Sequence, residues 1–134
     1  MDKIVKEKIE SYPFEARKRL CEIRSVIFAV AEEKGLGVIT ETLKWGEPSY
    51  SSKIGSPVRM DWKPKKPEQV SVFVNCKSLL IETYKEVYGN SLKYVGNREL
   101  VFPLSAPLPL TELRGCMSMA LQYHKLKKLP LLGA

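Results

Sequence analysis

An apolar stripe within residues 14–34 constrains the fold more than any other feature of the sequence. Its members recur at steps of four and three residues and so lie on one face of a helix: Ala16, Leu20, Ile23, Ile27 and Val30. Pro13 precedes the stripe and Gly35 follows it, as is typical of the two ends of a helix. Such a helix must bury its apolar face against a sheet or other helices.

Much of the remaining sequence has the two-residue period of β-strands. Strands are expected at 38–45 (alternatively a short helical turn leading into a strand), 50–54, 58–62, 70–74, 92–95 and 99–102. Further helices are expected at 2–10, at 78–88 and after Pro109. Sequential strands joined by short turns must be antiparallel. The sequence therefore predicts an α+β fold: a two-layer sandwich whose antiparallel sheet of five to six strands carries the N- and C-terminal helices on one face.

The length of 134 residues suits one domain, expected to span residues 1–134, with 129–134 as a loose tail. A chain of this size buries roughly two thirds of its unfolded surface, so it needs neither a disulfide nor a metal to fold. Cys21, Cys76 and Cys116 lie far apart and form no C-x-x-C motif. We expect three reduced thiols, mostly buried, and no cofactor.

No apolar run approaches the roughly 18 residues of a membrane span. The first eight residues are rich in charge and lack the apolar core of a signal peptide. These features predict a cytoplasmic protein without a membrane partner, as a monomer or weak homodimer. The net charge of +7 is compatible with attraction to an anionic partner and equally with ordinary solubility.

The segment from Glu41 to Tyr50 combines charged residues, two aromatic residues, a glycine and a proline. One interpretation is a sharp structural corner with Trp45 and Tyr50 in the core. The other is the wall of an apolar pocket that binds a small polar molecule or a protein segment. The ligand-binding residues expected under this second interpretation are Glu41, Lys44, Trp45, Glu47, Tyr50 and Trp62.

A basic loop follows Trp62 and offers an alternative site for weak nucleic-acid association through Lys63, Lys65 and Lys66. The same pattern is typical of a strand-end core residue followed by a solvated loop. No catalytic residues are assigned, because His124 is the sole histidine and no catalytic or phosphate-binding motif occurs. A non-enzymatic module that binds a small molecule or a protein partner is therefore expected.

Two ordered motifs carry a resemblance to a known family. Trp45-Gly46-x-Pro48-x-Tyr50, preceded by Glu41 and Lys44, is the first. The second runs from Leu100 to Leu104 and continues with Pro107-Leu108-Pro109 at the start of a helix. Together with Pro13 before a long helix, these motifs span about residues 9–121 and resemble the YdhG-like domains of unknown function.

The resemblance implies an α+β fold with helices on an antiparallel sheet. Some YdhG-like domains are described as similar to frataxin, with a proposed role in iron delivery for cluster assembly, so an iron-binding or iron–sulfur accessory role is a second alternative. The carboxylates available for it are Glu7, Glu10, Glu15, Glu22, Glu32 and Glu33, which alternate with lysines and arginines. No residue is assigned as a metal ligand.

Overall fold

Six strands form one antiparallel sheet in a computed structural model that describes residues 1–134. The strands are β1 (Thr40–Lys44), β2 (Glu47–Ser51), β3 (Val58–Asp61), β4 (Gln69–Phe73), β5 (Lys93–Val95) and β6 (Glu99–Pro103). Their order across the sheet is β1-β2-β3-β4-β6-β5, and every neighbouring pair is antiparallel. The strands β1 and β5 are therefore the two edges.

Five helices accompany the sheet: α1 (Lys3–Glu10), α2 (Phe14–Glu33), α3 (Leu80–Tyr88), α4 (Leu110–Leu121) and α5 (Tyr123–Leu126). A short 3-10 helix occupies Gly89–Ser91, and a compact turn occupies Pro130–Gly133. The predicted α+β fold is confirmed. None of the helices is both long and apolar enough to cross a membrane.

The two faces of the sheet differ in what they contact. On the inner face, alternate strand residues such as Tyr50, Met60 and Val72 join the helices in one hydrophobic cluster. The intervening residues point to the other face, where Phe73 and Val101 are buried but lie outside that cluster. The helix layer therefore covers one face, and the other face stays open.

The stripe of α2 is buried as its spacing predicts. Each of its five members is at most 2% exposed: Ala16, Leu20, Ile23, Ile27 and Val30. The second long helix, α4, packs against α2 and buries Leu113, Met117 and Leu121 completely. Leu110, three residues before Leu113, is 54% exposed because it is the first residue of the helix.

The loop between β2 and β3 closes the C-terminal end of α4. The Ser52 hydroxyl donates a hydrogen bond to the carbonyl of Leu121 at 2.5 Å, and the Ser56 N–H donates to the carbonyl of Ala120 at 2.9 Å. These donors satisfy carbonyl groups that the end of a helix leaves unpaired.

Strand β2 begins at Glu47 rather than at the expected Tyr50, so it includes Pro48. Lys44 and Glu47 flank a two-residue turn, and the next pair is Leu43 with Pro48. In such a hairpin Lys44 and Glu47 are hydrogen-bonded to each other, whereas Leu43 and Pro48 are not. The Pro48 nitrogen therefore points away from β1 and towards β3. Pairing with β3 starts only at Ser49, so the missing N–H interrupts no ladder.

The C-terminal residues 129–134 are not the loose tail expected from the sequence. Pro130–Gly133 form a compact turn that contacts α3 and α5. Leu132 is only 3% exposed within the hydrophobic cluster, whereas Leu131 beside it is 50% exposed. Burial of one leucine side chain holds this segment against the domain.

Candidate functional site

The tip of the β1–β2 hairpin carries an unusual residue. Trp45 and Gly46 are its two central residues, and both have positive φ, of 56° and 75°. This is the backbone of a type I′ turn, which favours Asn-Gly because bulky residues are strained at positive φ. Trp45 nevertheless occupies the first position and is 89% exposed. Strain of this kind at an exposed aromatic residue makes Trp45 a candidate binding residue.

Charged side chains cover the open face of the sheet next to this hairpin. Arg59 donates a hydrogen bond to Glu47 at 2.9 Å, and Lys63 lies 3.2 Å from Asp61 and 3.6 Å from Glu47. The cations of Arg59 and Lys63 both lie 5.7 Å from the centre of the Phe73 ring. Phe73 is therefore screened from water by cations in place of a helix.

A cavity of about 250 Å³ lies at the Trp45 end of this face. Its lining residues are Lys44, Trp45, Pro57, Arg59, Val74, Asn75, Cys76 and Arg98. The lining holds three cations and no carboxylate. Lys44 and Arg98 are exposed and take part in none of the ion pairs of the molecule. The cavity is thus suited to bind an anion.

A second cavity continues from the first across the open face. It shares Trp45, Arg59 and Arg98 with the first and adds Glu47, Lys63, Phe73 and Glu99. Glu99 accepts a hydrogen bond from the Ser71 hydroxyl at 2.7 Å. The charged residues that line the first cavity are therefore all cations, whereas the second cavity is lined by both cations and carboxylates.

Glu41 and Tyr50 lie on the opposite face of the sheet from this cavity. Tyr50 is fully buried, and its ring packs edge-on against Phe28 at 5.9 Å. Its hydroxyl has no hydrogen-bond partner, and burial together with the charge of Glu41 raises its pKa. Glu41 is bound by Arg24. The sheet thus separates both residues from Trp45, and the six expected ligand-binding residues do not line one cleft.

Trp62 anchors the basic loop rather than lining the cavity beside Trp45. It is half-buried, and its Nε1 donates a hydrogen bond to the carbonyl of Pro67 at 2.9 Å. Its ring packs edge-on against Tyr12 at 6.5 Å, and Tyr12 donates to Asp61 at 2.5 Å. The loop lysines differ among themselves: Lys63 is paired with carboxylates, whereas Lys65 and Lys66 are exposed and take part in no ion pair.

Of the six expected ligand-binding residues, only Lys44, Trp45 and Glu47 border the cavities near the hairpin tip; of the expected nucleic-acid residues, Lys63 lines the second cavity. Glu47 is 9% exposed, and burial raises its pKa although Arg59 opposes the shift. Reasoning from the sequence missed Arg59 and Arg98. The alternation of Val58, Arg59 and Met60 places Arg59 on the outer face, but no local pattern brings Arg98 beside it.

Arg98 reaches the site through long-range strand pairing. It belongs to the β5–β6 loop, and its carbonyl accepts a hydrogen bond from the Val74 N–H at the end of β4, at 2.8 Å. Cys76, two residues beyond Val74, is an exposed thiol, unlike the buried Cys116. The structure thus places an exposed cysteine in the lining of the cationic cavity.

No group of three or more His, Cys, Asp or Glu side chains comes together in a way that could hold a metal ion. The iron-binding alternative therefore rests on the family resemblance alone. Comparison with protein-family models, with curated proteins and with solved structures yields no match to this chain.

Proposed function

We propose that the protein is a non-enzymatic binding module whose recognition surface is the open face of the sheet beside Trp45. The observation that carries this proposal is the exposed Trp45 ring, held at positive φ next to a cavity lined by Lys44, Arg59 and Arg98. The ligand is an anionic small molecule or an anionic segment of a partner protein.

Two physical arguments support this choice of surface. An exposed tryptophan at a strained position stabilises nothing in the fold, whereas it provides a large apolar surface for a ligand. Like charges that line one cavity repel each other until an anion neutralises them. Lys44 and Arg98 have no carboxylate partner within the protein, so a bound anion is the natural counterion.

The resemblance to YdhG-like domains enters this proposal through the Trp45-Gly46-x-Pro48-x-Tyr50 motif. Gly46 and Pro48 shape the hairpin and Tyr50 fills the core, so these positions have structural roles. Trp45 is the one aromatic residue of the motif that faces solvent. We assign ligand recognition to Trp45 and fold maintenance to the rest of the motif.

Mapping by NMR tests the location of the site. A library of anionic, neutral and cationic fragments is titrated into ¹⁵N-labelled protein. The proposal expects anionic fragments to shift the amide signals of Lys44, Trp45, Arg59 and Arg98. It is contradicted if binding fragments cluster elsewhere, for instance in the cavity of about 430 Å³ between α3 and the C-terminal turn.

Variants at matched exposed positions complete the test. Replacing Trp45 by Ala is expected to abolish the shifts. Val38→Ala is the control, because Val38 is also exposed, at 82%, but does not border the cavity. Equal binding by both variants would overturn the assignment of Trp45.

A further inference from the structure

We infer that the cavity beside Trp45 binds a mononucleotide, whose base stacks on the Trp45 ring while its phosphate is held by Lys44 and Arg98. This inference rests on the proposed function and adds the chemical class of the ligand. It combines two features of the cavity that a simple anion site does not need together, an exposed aromatic ring and uncompensated cations.

The cations account for the phosphate. Arg59 is already hydrogen-bonded to Glu47 at 2.9 Å, so its charge is partly neutralised. Lys44 and Arg98 take part in no ion pair, and both line the same cavity. A phosphate monoester carries nearly two negative charges and accepts several charge-assisted hydrogen bonds, which matches two free cations.

The Trp45 ring accounts for the base. Stacking of a nucleobase on an exposed aromatic side chain contributes about 1–3 kcal/mol, and it tolerates any base. The turn keeps the ring at the rim of the cavity, since the backbone of Trp45 is fixed between β1 and β2. The acidic side chains of a peptide, Asp and Glu, carry no aromatic group that could stack on the ring.

The charges on the rest of the open face favour a single nucleotide over a nucleic-acid strand. Beyond the first cavity, Glu47 and Glu99 line the continuing groove, and Asp61 lies farther along it beside Lys63. The next phosphates of a strand along this groove would pass close to these carboxylates and be repelled. Of the cavities along this groove, only the one lined by Lys44 and Cys76 has no carboxylate in its lining.

Tryptophan fluorescence tests the inference directly. In the Trp62→Phe variant, Trp45 is the only tryptophan left, because the chain has two. This protein is titrated with each of the four common ribonucleoside monophosphates, with the corresponding nucleosides, with inorganic phosphate and with a short single-stranded oligonucleotide. We expect saturable quenching by the monophosphates, and binding at least about tenfold weaker for nucleosides and for phosphate.

Protection of Cys76 gives a second readout that does not depend on Trp62. A bound mononucleotide is expected to slow alkylation of Cys76, which lines the cavity, while Cys116 stays buried and unreactive. Arg98→Gln and Lys44→Gln should each weaken binding about tenfold or more. Lys34→Gln is the matched control, since Lys34 is exposed on the helix side of the molecule.

The possible outcomes distinguish an error in the class of ligand from an error in the location of the site. Equal affinity for phosphate and monophosphates would overturn the role of the base. Tighter binding of the oligonucleotide than of any monophosphate would replace the mononucleotide by a strand. If fragments map to the Trp45 face by NMR but no monophosphate binds, the inference fails and the proposed function stands. If no compound perturbs this face, both fail.

Discussion

Arg24 and Glu41 form a two-point ion pair that joins α2 to β1. The Arg24 Nε lies 2.5 Å from one carboxylate oxygen of Glu41, and Nη2 lies 3.1 Å from the other. The N–H of Asp2, the residue that caps α1, donates to the same carboxylate at 2.8 Å. Arg24 also lies 4.4 Å from the centre of the Phe28 ring. Glu41 therefore connects α1, α2 and the edge of the sheet, which is a structural role.

Removing the charge of Glu41 should destabilise the protein in a pH-dependent way. Burial alone would raise the pKa of Glu41, but hydrogen bonds from Arg24 and Asp2 outweigh burial and lower it. The ionised carboxylate therefore stabilises the native state above its ordinary pKa, and this contribution disappears as the pH falls through the lowered value. We expect Glu41→Gln to lower the free energy of unfolding by about 2 kcal/mol at neutral pH.

Urea unfolding of wild type and Glu41→Gln at a series of pH values measures this effect. The difference in free energy of unfolding should shrink in acid, where Glu41 of the wild type becomes protonated. A difference that stays constant down to acid pH would show that the charge of Glu41 is not the cause.

Glu47 should show the opposite pH dependence. Burial raises the pKa of Glu47 even though Arg59 and Lys63 counteract it, so the fold favours the protonated form. The protonated Glu47 side chain contributes fully to stability below the pKa that Glu47 has in the unfolded chain. This contribution is lost as the pH rises through the raised pKa of the folded protein. We expect Glu47→Gln to gain stability relative to wild type across that pH range, as measured by the same urea series. A relative loss instead would mean that the pair with Arg59 dominates.

The β2–β3 loop should tolerate no side chain at Gly55. A β-carbon at this position would lie 2.6 Å from the carbonyl carbon and 2.8 Å from the Cα of Leu121, and backbone atoms cannot move aside easily. We expect Gly55→Ala to cost about 2 kcal/mol of stability, measured by thermal or urea unfolding. Gly115→Ala is the comparison, because the added β-carbon meets only the hydroxyl end of the Tyr88 side chain. Equal losses would argue against the close backbone contact.

Local patterns in the sequence were sufficient to predict the layers of the fold. The α2 helix and the strand that contains Val70 and Val72 each bury one face, and burial of one face requires apolar residues at a regular spacing. That spacing can be recognised in the sequence itself. The start of β2 was predicted too late, at Tyr50, because a proline in a strand is acceptable where its nitrogen faces no partner, and only the strand pairing shows that this holds for Pro48. The burial of Leu132 was equally hidden, since it depends on docking against α3.

The candidate site was only partly predictable for the same reason. The side chains of Glu41 and Tyr50 point to the helix layer, whereas Lys44 lines the first cavity and Glu47 the second, on the open face. Successive residues of a strand point to opposite faces of the sheet. The ten residues from Glu41 to Tyr50 are therefore divided between the helix layer and the open face. Arg98 joins the site through pairing of β4 with β6, over a sequence separation that no local motif records.

The docking of the C-terminal turn can be tested with two adjacent leucines. Leu131 and Leu132 share nearly the same left-handed backbone, with φ of 49° and 51°, but Leu132 is 3% exposed and Leu131 is 50% exposed. We expect Leu132→Ala to reduce the free energy of unfolding by about 2 kcal/mol through the lost apolar contact and the cavity left behind. Leu131→Ala has the same backbone effect and should cost much less. Similar losses for both variants would indicate that the segment does not dock.

Replacing Trp45 by Asn should separate stability from binding. Asn at positive φ is far better tolerated than Trp, and Asn-Gly is the preferred type I′ turn. Because the Trp45 ring is 89% exposed, its removal sacrifices little packing. We expect Trp45→Asn to raise the free energy of unfolding by about 1 kcal/mol in urea titrations and to abolish ligand binding at the cavity. Trp62→Phe, which loses the hydrogen bond to Pro67, should instead lose stability and retain binding. A destabilised Trp45→Asn variant would mean that the ring supports the fold, and the strained backbone would then no longer indicate a binding role.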